Sequence, residues 1–492
     1  MPAKPLSIRW SLFFSFARKL SGLALSVPTV MIVSRLLTPA QVGIYSIGLV
    51  LVNLVHTLRD FGVTEFVVQT EHLDNDVIST AFTMTLVSGC ALGLLVIGSS
   101  GPIASFYDSE GLKTVLLILS INFFLLPFGS VTMALLRRTM QFSTIYKIEV
   151  AHSATQSAVT IVLVVLGYGY YGLAWGAVSA TFVLIGLAQW LGRGEFRTSG
   201  ISLSRWRPVG YFGLRQTASD VLNRVGEASP DFVIGRVIGF TAVGLFSRGN
   251  GLVRMFQTNV LGAVATVAFS VYARDYRSTK VPEKRFLTFT RFNTALAWPF
   301  YLFAALMALP IIRIMFGNQW DAAVPILQLL ALAATISVTF QQCPRLLTAT
   351  GHVATVTRLT AMLQAVRIAL LIALSFYGLV AVAAGQILAS LIGMVLFYGA
   401  CFRHLRMNAR AVLLALRPSL LTTLVTIGPV ASLAWFFTPH PGLLWPPLIA
   451  CGLCAACLWP VGLWLSKHPL WEEISGIGLR TLKGLRRRIR AT

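Results

Sequence analysis

Long apolar runs separated by short polar segments make up most of the chain. They fall at about Trp10–Val33, Val42–Val63, Val77–Gly101, Leu112–Ala134, Lys147–Gly167, Gly172–Gly192, Tyr211–Val233, Ala242–Tyr272, Thr288–Ile312, Ala322–Gln342, Thr355–Tyr377, Leu379–Phe402, Leu413–Phe437 and Leu443–Leu465. A helix of about 20 residues spans the hydrocarbon core of a bilayer, and each run reaches that length. The pattern predicts an all-α integral membrane protein with about fourteen transmembrane helices. The first run is not expected to be a cleaved signal peptide: it is long, carries Arg18 and Lys19 in its middle, and is followed by no small-residue cleavage site.

Composition excludes the soluble alternatives. Hydrophobic residues are 56% and charged residues 12% of the 492, with a mean hydropathy of +0.75, so no polar stretch is long enough for a separate metal-binding or nucleotide-binding domain. The net charge of +23 would suggest nucleic acid, but the basic residues sit in short segments between apolar runs, as expected from orientation in a membrane. With the N-terminus cytoplasmic, inside segments hold 29 Lys and Arg and outside segments 5 (Arg35, Lys113, Arg236, Arg248 and Arg313). This alternation predicts both termini in the cytoplasm. Ile474–Thr492, where aliphatic and basic residues interleave, is expected to be an amphipathic helix on anionic lipid. Cys451, Cys454 and Cys457 have a metal-like spacing, yet i, i+3, i+6 fans around a helix and no His or carboxylate lies nearby, so no metal and no cofactor is expected.

The chain repeats itself. Ser34-Arg35-Leu36-Leu37-Thr38-Pro39-Ala40-Gln41-Val42-Gly43-Ile44-Tyr45-Ser46 recurs, at an offset of 201, as Gly235-Arg236-Val237-Ile238-Gly239-Phe240-Thr241-Ala242-Val243-Gly244-Leu245-Phe246-Ser247. Leu135–Lys147 recurs at an offset of 211 as Leu346–Arg358. Run four thus maps on run ten and run one on run seven. An even-numbered repeat gives two parallel six-helix lobes related by an axis along the membrane normal. The expected organisation is a lobe over 1–207, a lobe over 208–407, two extra helices over 408–466 and a basic cytoplasmic tail over 467–492, with a central cavity between the lobes.

With twelve spans in two parallel lobes plus two more, the chain resembles the polysaccharide (Wzx-type) flippases of the multidrug/oligosaccharidyl-lipid/polysaccharide exporter superfamily. Ser34–Tyr45 is similar to that family's segment leading into the second helix, and Leu135-Leu136-Arg137-Arg138-Thr139-Met140-Gln141-Phe142 to its loop after the fourth. The resemblance implies a multi-pass protein of the bacterial inner membrane. It implies a cargo of undecaprenyl-diphosphate-linked oligosaccharide carried by alternating access, with membrane lipids, a polysaccharide polymerase and chain-length machinery as partners, and no nucleic acid.

Charges inside the apolar runs nominate a site. A charged side chain at mid-membrane costs roughly 2.5–3.5 kcal/mol on insertion scales, so such residues should face protein or water. Run seven carries Arg215, Asp220, Arg224, Glu227 and Asp231; the last four follow i, i+4, i+7, i+11 and share one face. They read either as a structural ion-pair ladder or as a transport site. At the repeat offsets Asn53 and His56 correspond to Arg254 and Gln257, Lys19 to Asp220, and Gln156 to Arg367. Candidate cavity residues are therefore Arg18, Lys19, Arg215, Arg224, Arg254, Arg367, Asn53, His56 and Gln257, with Asp220, Glu227 and Asp231 as ion-coupling or ion-pairing groups. A cationic excess suits a diphosphate, because guanidinium forks bind phosphate bidentately and stay charged when partly desolvated. A drug or organic-cation antiporter would need the opposite polarity. A peptidoglycan-precursor flippase shares the same plan. No outside connection is long enough to carry an enzyme active site, so no covalent catalysis is expected.

Overall fold

The structure is a computed structural model that describes residues 8–60, 63–70, 73–192, 200–204, 206, 224–279, 283–437 and 444–475. Arg215, Asp220, most of the run Tyr211–Val233 and the tail beyond Ser475 lie outside these residues.

The described chain is helical throughout and contains no strand. In the first half α1 is Ile8–Leu36, α2 Pro39–Asp60, α3 Val63–Gln69, α4 Asn75–Phe106, α5 Glu110–Leu125, α6 Pro127–Arg138, α7 Phe142–Leu163 and α8 Tyr171–Leu191. Helix α9 covers residues 224–237. The rest comprises α10 Phe240–Phe256, α11 Gly262–Thr279, α12 Glu283–Leu306, α13 Ala308–Phe316, α14 Val324–Phe340, α15 Cys343–Ala349, α16 Val353–Ser375, α17 Leu379–Leu405, α18 Ala409–Phe437 and α19 Trp445–Leu465. Eleven helices among the described residues are long and apolar enough to cross a membrane, and thirteen if each of two bent pairs counts as one span. Every predicted run except Tyr211–Val233 falls on one of these. The protein is a multi-pass membrane protein.

The two bends are departures from straight spans. α5 and α6 meet at 53°, where Pro127 cannot donate to the helix ladder. α12 and α13 meet at 76°, with Pro310 in the first turn beyond the break. Helix α3, absent from the apolar-run pattern, packs Val63 and Val67 against Ile78, Ala81, Val131 and Leu135. Its C-terminal carbonyls are capped by Arg138, which donates to the carbonyls of Val67 (2.9 Å) and Thr70, as a basic group at a helix C-terminus should.

The repeated sequence folds into repeated local structure. At the start of α2, Thr38 and Gln41 exchange side-chain-to-backbone hydrogen bonds of 3.0 and 3.3 Å. With Pro39 at the first helical position, this is a capping box. In the other repeated segment Thr139, Met140 and Gln141 donate to the carbonyls of Leu135, Arg137 and Leu136, and their counterparts Thr350, Gly351 and His352 donate to those of Leu346, Thr348 and Leu347. The pivot is left-handed in both, with φ 56° at Met140 and 89° at Gly351. Six of these bonds thus match residue for residue, the pattern of a Schellman turn. The Ser34–Ser46 copies also meet. A Cβ at Gly43 would overlap the Phe240 carbonyl, and a Cβ at Gly244 would overlap the Pro39 carbonyl. Pro39 and Phe240 occupy equivalent repeat positions, as do Gly43 and Gly244, so the contact is reciprocal, as a two-fold relation requires.

By packing, the chain divides into two compact units, Met1–Ser247 and Arg248–Thr492. The reciprocal glycine contact lies within the first. In the second, Tyr272, Phe286, Phe340, Cys343, Leu346, Leu347, Phe397 and Cys401 form a buried core.

Candidate functional site

In the first unit α1 packs on α7, and the two helices share charge. Arg18 Nη1 lies 3.0 Å from both carboxylate oxygens of Glu149, with the side chains 40% and 26% exposed. One turn further along α1, Ser21 meets the Tyr146 hydroxyl at 3.2 Å. Lys19 is exposed. Glu149, His152 and Gln156 follow i, i+3, i+7 and continue the polar face of α7. Sequence reading missed Glu149, because it stands two residues past Lys147 at the edge of an apolar run. Its spacing to His152 and Gln156 was the available signal.

On α2, Asn53 is exposed and the His56 ring stacks on Phe123 at 4.1 Å with an interplanar angle of 15°. His56 Nδ1 is buried without a hydrogen-bond partner. One turn on is Arg59, 6% exposed. It was expected in a cytoplasmic loop; it is instead the buried last turn of α2, whose carbonyl accepts from Ser88 at 3.2 Å. The apolar run Val42–Val63 already spans this position and α2 ends at Asp60, so Arg59 belongs to the helix and not to the loop its charge suggested.

The described part of α9 opens at Arg224, whose guanidinium lies 3.8 Å from Glu227. Both are largely exposed, so this part of the expected ladder is open rather than sealed in a core. Asp231 sits by Tyr107, whose hydroxyl donates to the Phe232 carbonyl at 3.2 Å. Burial pushes the Tyr107 pKa up, Arg236 opposes that and Asp231 adds to it. Arg236 also reaches Asp108 at 3.7 Å and lies over the Phe106 ring. Arg215 and Asp220 are outside the described residues.

In the second unit Arg254 and Gln257 are exposed at the junction of α10 with a π-helical turn, Gln257–Leu261, a widening of the helix common at functional sites. Arg367 on α16 is half-buried with Nε lacking a hydrogen-bond partner, as does Gln364 Oε1 one turn before it. Arg248 corrects the loop expectation. It lies inside α10, its guanidinium 5.5 Å from the Phe316 ring and 5.2 Å from that of Trp320, a cation–π clamp. Two aromatic faces let the guanidinium enter a helix that the hydropathy pattern reads as too apolar for it. The adjoining turn is locked by Arg313, which donates to Asp321 at 2.9 and 2.7 Å.

Two further groups resemble chemistry and behave otherwise. Cys451, Cys454 and Cys457 are buried, half-buried and exposed in turn, so they do not share one face. Ser419 and His468 lie 3.2 Å apart, a hydroxyl–imidazole pair. However, His468 Nδ1 accepts from the Leu470 N–H, which assigns the proton to Nε2. That nitrogen then donates to Ser419 and is not a base toward it. The pair ties the segment after α19 to α18 and, through Thr294 at 2.8 Å from Ser419, to α12.

Curated relatives share this plan only in part of their length. The chain is 26% identical over 314 residues to the teichuronic acid biosynthesis protein TuaB of Bacillus subtilis, covering 60% of this chain and 61% of TuaB. It is 27% identical over 329 residues to the succinoglycan biosynthesis transport protein ExoT of Rhizobium meliloti, with 66% and 65% covered. It is 23% identical over 322 residues to the lipopolysaccharide biosynthesis protein WzxC of Escherichia coli, with 64% of each covered. The matched regions thus span just under two thirds of these relatives. Among solved structures, the fold is similar to the lipid II flippase MurJ in its inward closed conformation, with a TM-score of 0.70 at 13% identity over 92% of this chain and 98% of that one. It is also similar to an inward-facing multidrug resistance MATE family transporter of the MOP superfamily, with a TM-score of 0.63 at 15% identity over 80% and 100%. A family model described as polysaccharide biosynthesis protein matches residues 32–325, and with more than half its length inside that match the chain belongs to the polysaccharide biosynthesis protein family.

Proposed function

We propose that this protein is a flippase for lipid-linked oligosaccharide, moving undecaprenyl-diphosphate-linked repeat units from the cytoplasmic to the periplasmic leaflet of the bacterial inner membrane. The observation that carries the reading is the set of arginines within membrane-spanning helices of a polysaccharide-biosynthesis family member. Arg18, Arg254 and Arg367 stand in helices where uncompensated charge is costly, and guanidinium groups are suited to a diphosphate.

In this reading the repeat defines two lobes, 1–207 and 208–407, around a central cavity. Helices over 408–466 and a basic tail over 467–492 complete a fourteen-span chain with both ends in the cytoplasm. The lobes alternate between inward and outward openings. Lys19, Arg215, Arg224, Asn53, His56 and Gln257 contribute to the cavity wall, and Asp220, Glu227 and Asp231 tune its charge. A polymerase and chain-length machinery receive the cargo outside. No covalent step is involved. Relatives named for teichuronic acid, succinoglycan and lipopolysaccharide biosynthesis support a glycan cargo over a drug.

The test is flipping in liposomes. Full-length protein should translocate a fluorescent polyprenyl-diphosphate oligosaccharide, and Arg254→Ala or Arg367→Ala should abolish this while the protein stays folded in the membrane. Arg→Lys should recover part of the rate, because charge returns without the fork. Wild-type flipping by both alanine variants would refute the diphosphate role of these residues.

A further inference from the structure

We propose that Glu149 is a built-in stand-in for the cargo's phosphate: it holds Arg18 until an anion displaces it, so that anion capture and protonation of Glu149 are linked. This rests on the reading of the intramembrane arginines as phosphate ligands. One guanidinium nitrogen of Arg18 lies 3.0 Å from both oxygens of the Glu149 carboxylate, a single-nitrogen contact and not the two-nitrogen fork with which a guanidinium can hold a phosphate edge. Both side chains are open enough to be reached, at 40% and 26% exposure. A pair sealed in a core could not exchange partners; this one can. An exposed ion pair contributes little, so a doubly charged diphosphate competes for Arg18 on favourable terms.

Displacement leaves Glu149 without the cation that balanced its charge. The remedy is a proton from the aqueous side. The ionisable neighbours are Arg18 and Lys19 on α1 and Tyr146, Lys147 and His152 on α7. Of the other helices packed on α7, α8 carries only Tyr171, at its first residue, and α6 carries Arg137 and Arg138 in its last turn. His152, one turn from Glu149 and within its electrostatic reach, is the group placed to relay the proton. By linkage, whatever protonates Glu149 must strengthen anion binding to the same degree.

The experiment is binding of inorganic pyrophosphate to the full-length protein in nanodiscs, by calorimetry across pH. Glu149→Gln keeps the shape and removes the competing charge, so at neutral pH it should bind about fivefold more tightly than wild type, the equivalent of one exposed ion pair. Glu149→Ala should do the same, which guards against a folding artefact of one substitution. The ratio of wild-type to Glu149→Gln dissociation constants cancels the probe's own titration and should fall toward one as the pH is lowered. Arg18→Ala should weaken binding in either background. If Glu149→Gln and Glu149→Ala bind as wild type while Arg18→Ala weakens binding, the stand-in role is overturned and the phosphate reading survives. If Arg18→Ala also binds as wild type, Arg18 holds no phosphate and the proposal fails at its base, while Arg254→Ala and Arg367→Ala still test the wider reading separately.

Discussion

The seam between α1 and α7 and the seam between α12 and α14 both carry polar side chains through apolar helices, with opposite chemistry. The first is charged, paired and half-open: Arg18 with Glu149, Ser21 with Tyr146. The second is joined by neutral hydrogen bonds, with buried polar groups on the same elements. Trp298 donates to the Thr335 carbonyl at 2.9 Å and Gln328 to the Ala305 carbonyl at 3.2 Å, which sets the two helices antiparallel in one register. Asn293 stands on α12 and Gln342 just past the end of α14. Asn293 is 1% and Gln342 0% exposed, and both polar atoms of each, with Thr290 Oγ1, lack a hydrogen-bond partner. An open charged pair can change partners at small cost; closed amides cannot leave, and each unpaired group costs about 1–3 kcal/mol. The first seam is suited to exchange and the second to holding one arrangement.

The comparison breaks most readily by moving charge. Asn293→Asp places a carboxylate at a position only 1% exposed, and should destabilise the protein by about 3–5 kcal/mol. Thermal unfolding in detergent would show this, and a wild-type melting temperature would mean that water or a cation reaches the seam. Removing the amides tests the same point from the other side. Asn293→Leu with Gln342→Met should be neutral or stabilising, since apolar groups of similar shape replace unsatisfied ones.

Next in size is His468, which extends the neutral seam through Ser419 and Thr294. Burial, and then the nearby Arg291, push its pKa down from 6.5 to about 4. The folded state therefore keeps the neutral ring while the unfolded chain takes up a proton. Stability is full above about pH 6.5 and is lost as the pH falls toward 4, by up to about 3 kcal/mol. Unfolding followed across this range should show the slope, and His468→Gln should flatten it.

The charged seam should respond least. Arg18→Ala and Glu149→Ala should each shift stability by about 1 kcal/mol or less, given their exposure. A loss of several kcal/mol would make the pair a structural clamp and remove the contrast between seams. Smallest is Arg224 with Glu227. A double-mutant cycle should give a coupling of about 0.5 kcal/mol for an open i, i+3 pair facing water. A coupling several times larger would place that face in hydrocarbon.

Some of this was written in the order of residues. Apolar length placed thirteen of the fourteen predicted runs on helices or bent pairs, because a bilayer admits few other solutions for such a run. The repeat was legible as well, from the Arg and Val-Gly-aliphatic-aromatic-Ser positions that the two copies share. Thr38, Pro39 and Gln41 make a capping box, and only a left-handed pivot at Met140 or Gly351 closes the turn after the helix. Which polar residues meet was not legible. Arg18 and Glu149 are 131 positions apart, and nothing in either neighbourhood names the other. Arg248 was expected outside the membrane until Phe316 and Trp320 supplied a cation–π clamp from another part of the chain. Asn293 and Gln342 drew no attention, because an uncharged amide barely perturbs hydropathy. Local periodicity and capping depend on neighbours in sequence, and these the chain specifies by itself. Pairing and burial depend on what distant helices bring alongside, and these only the tertiary structure decided.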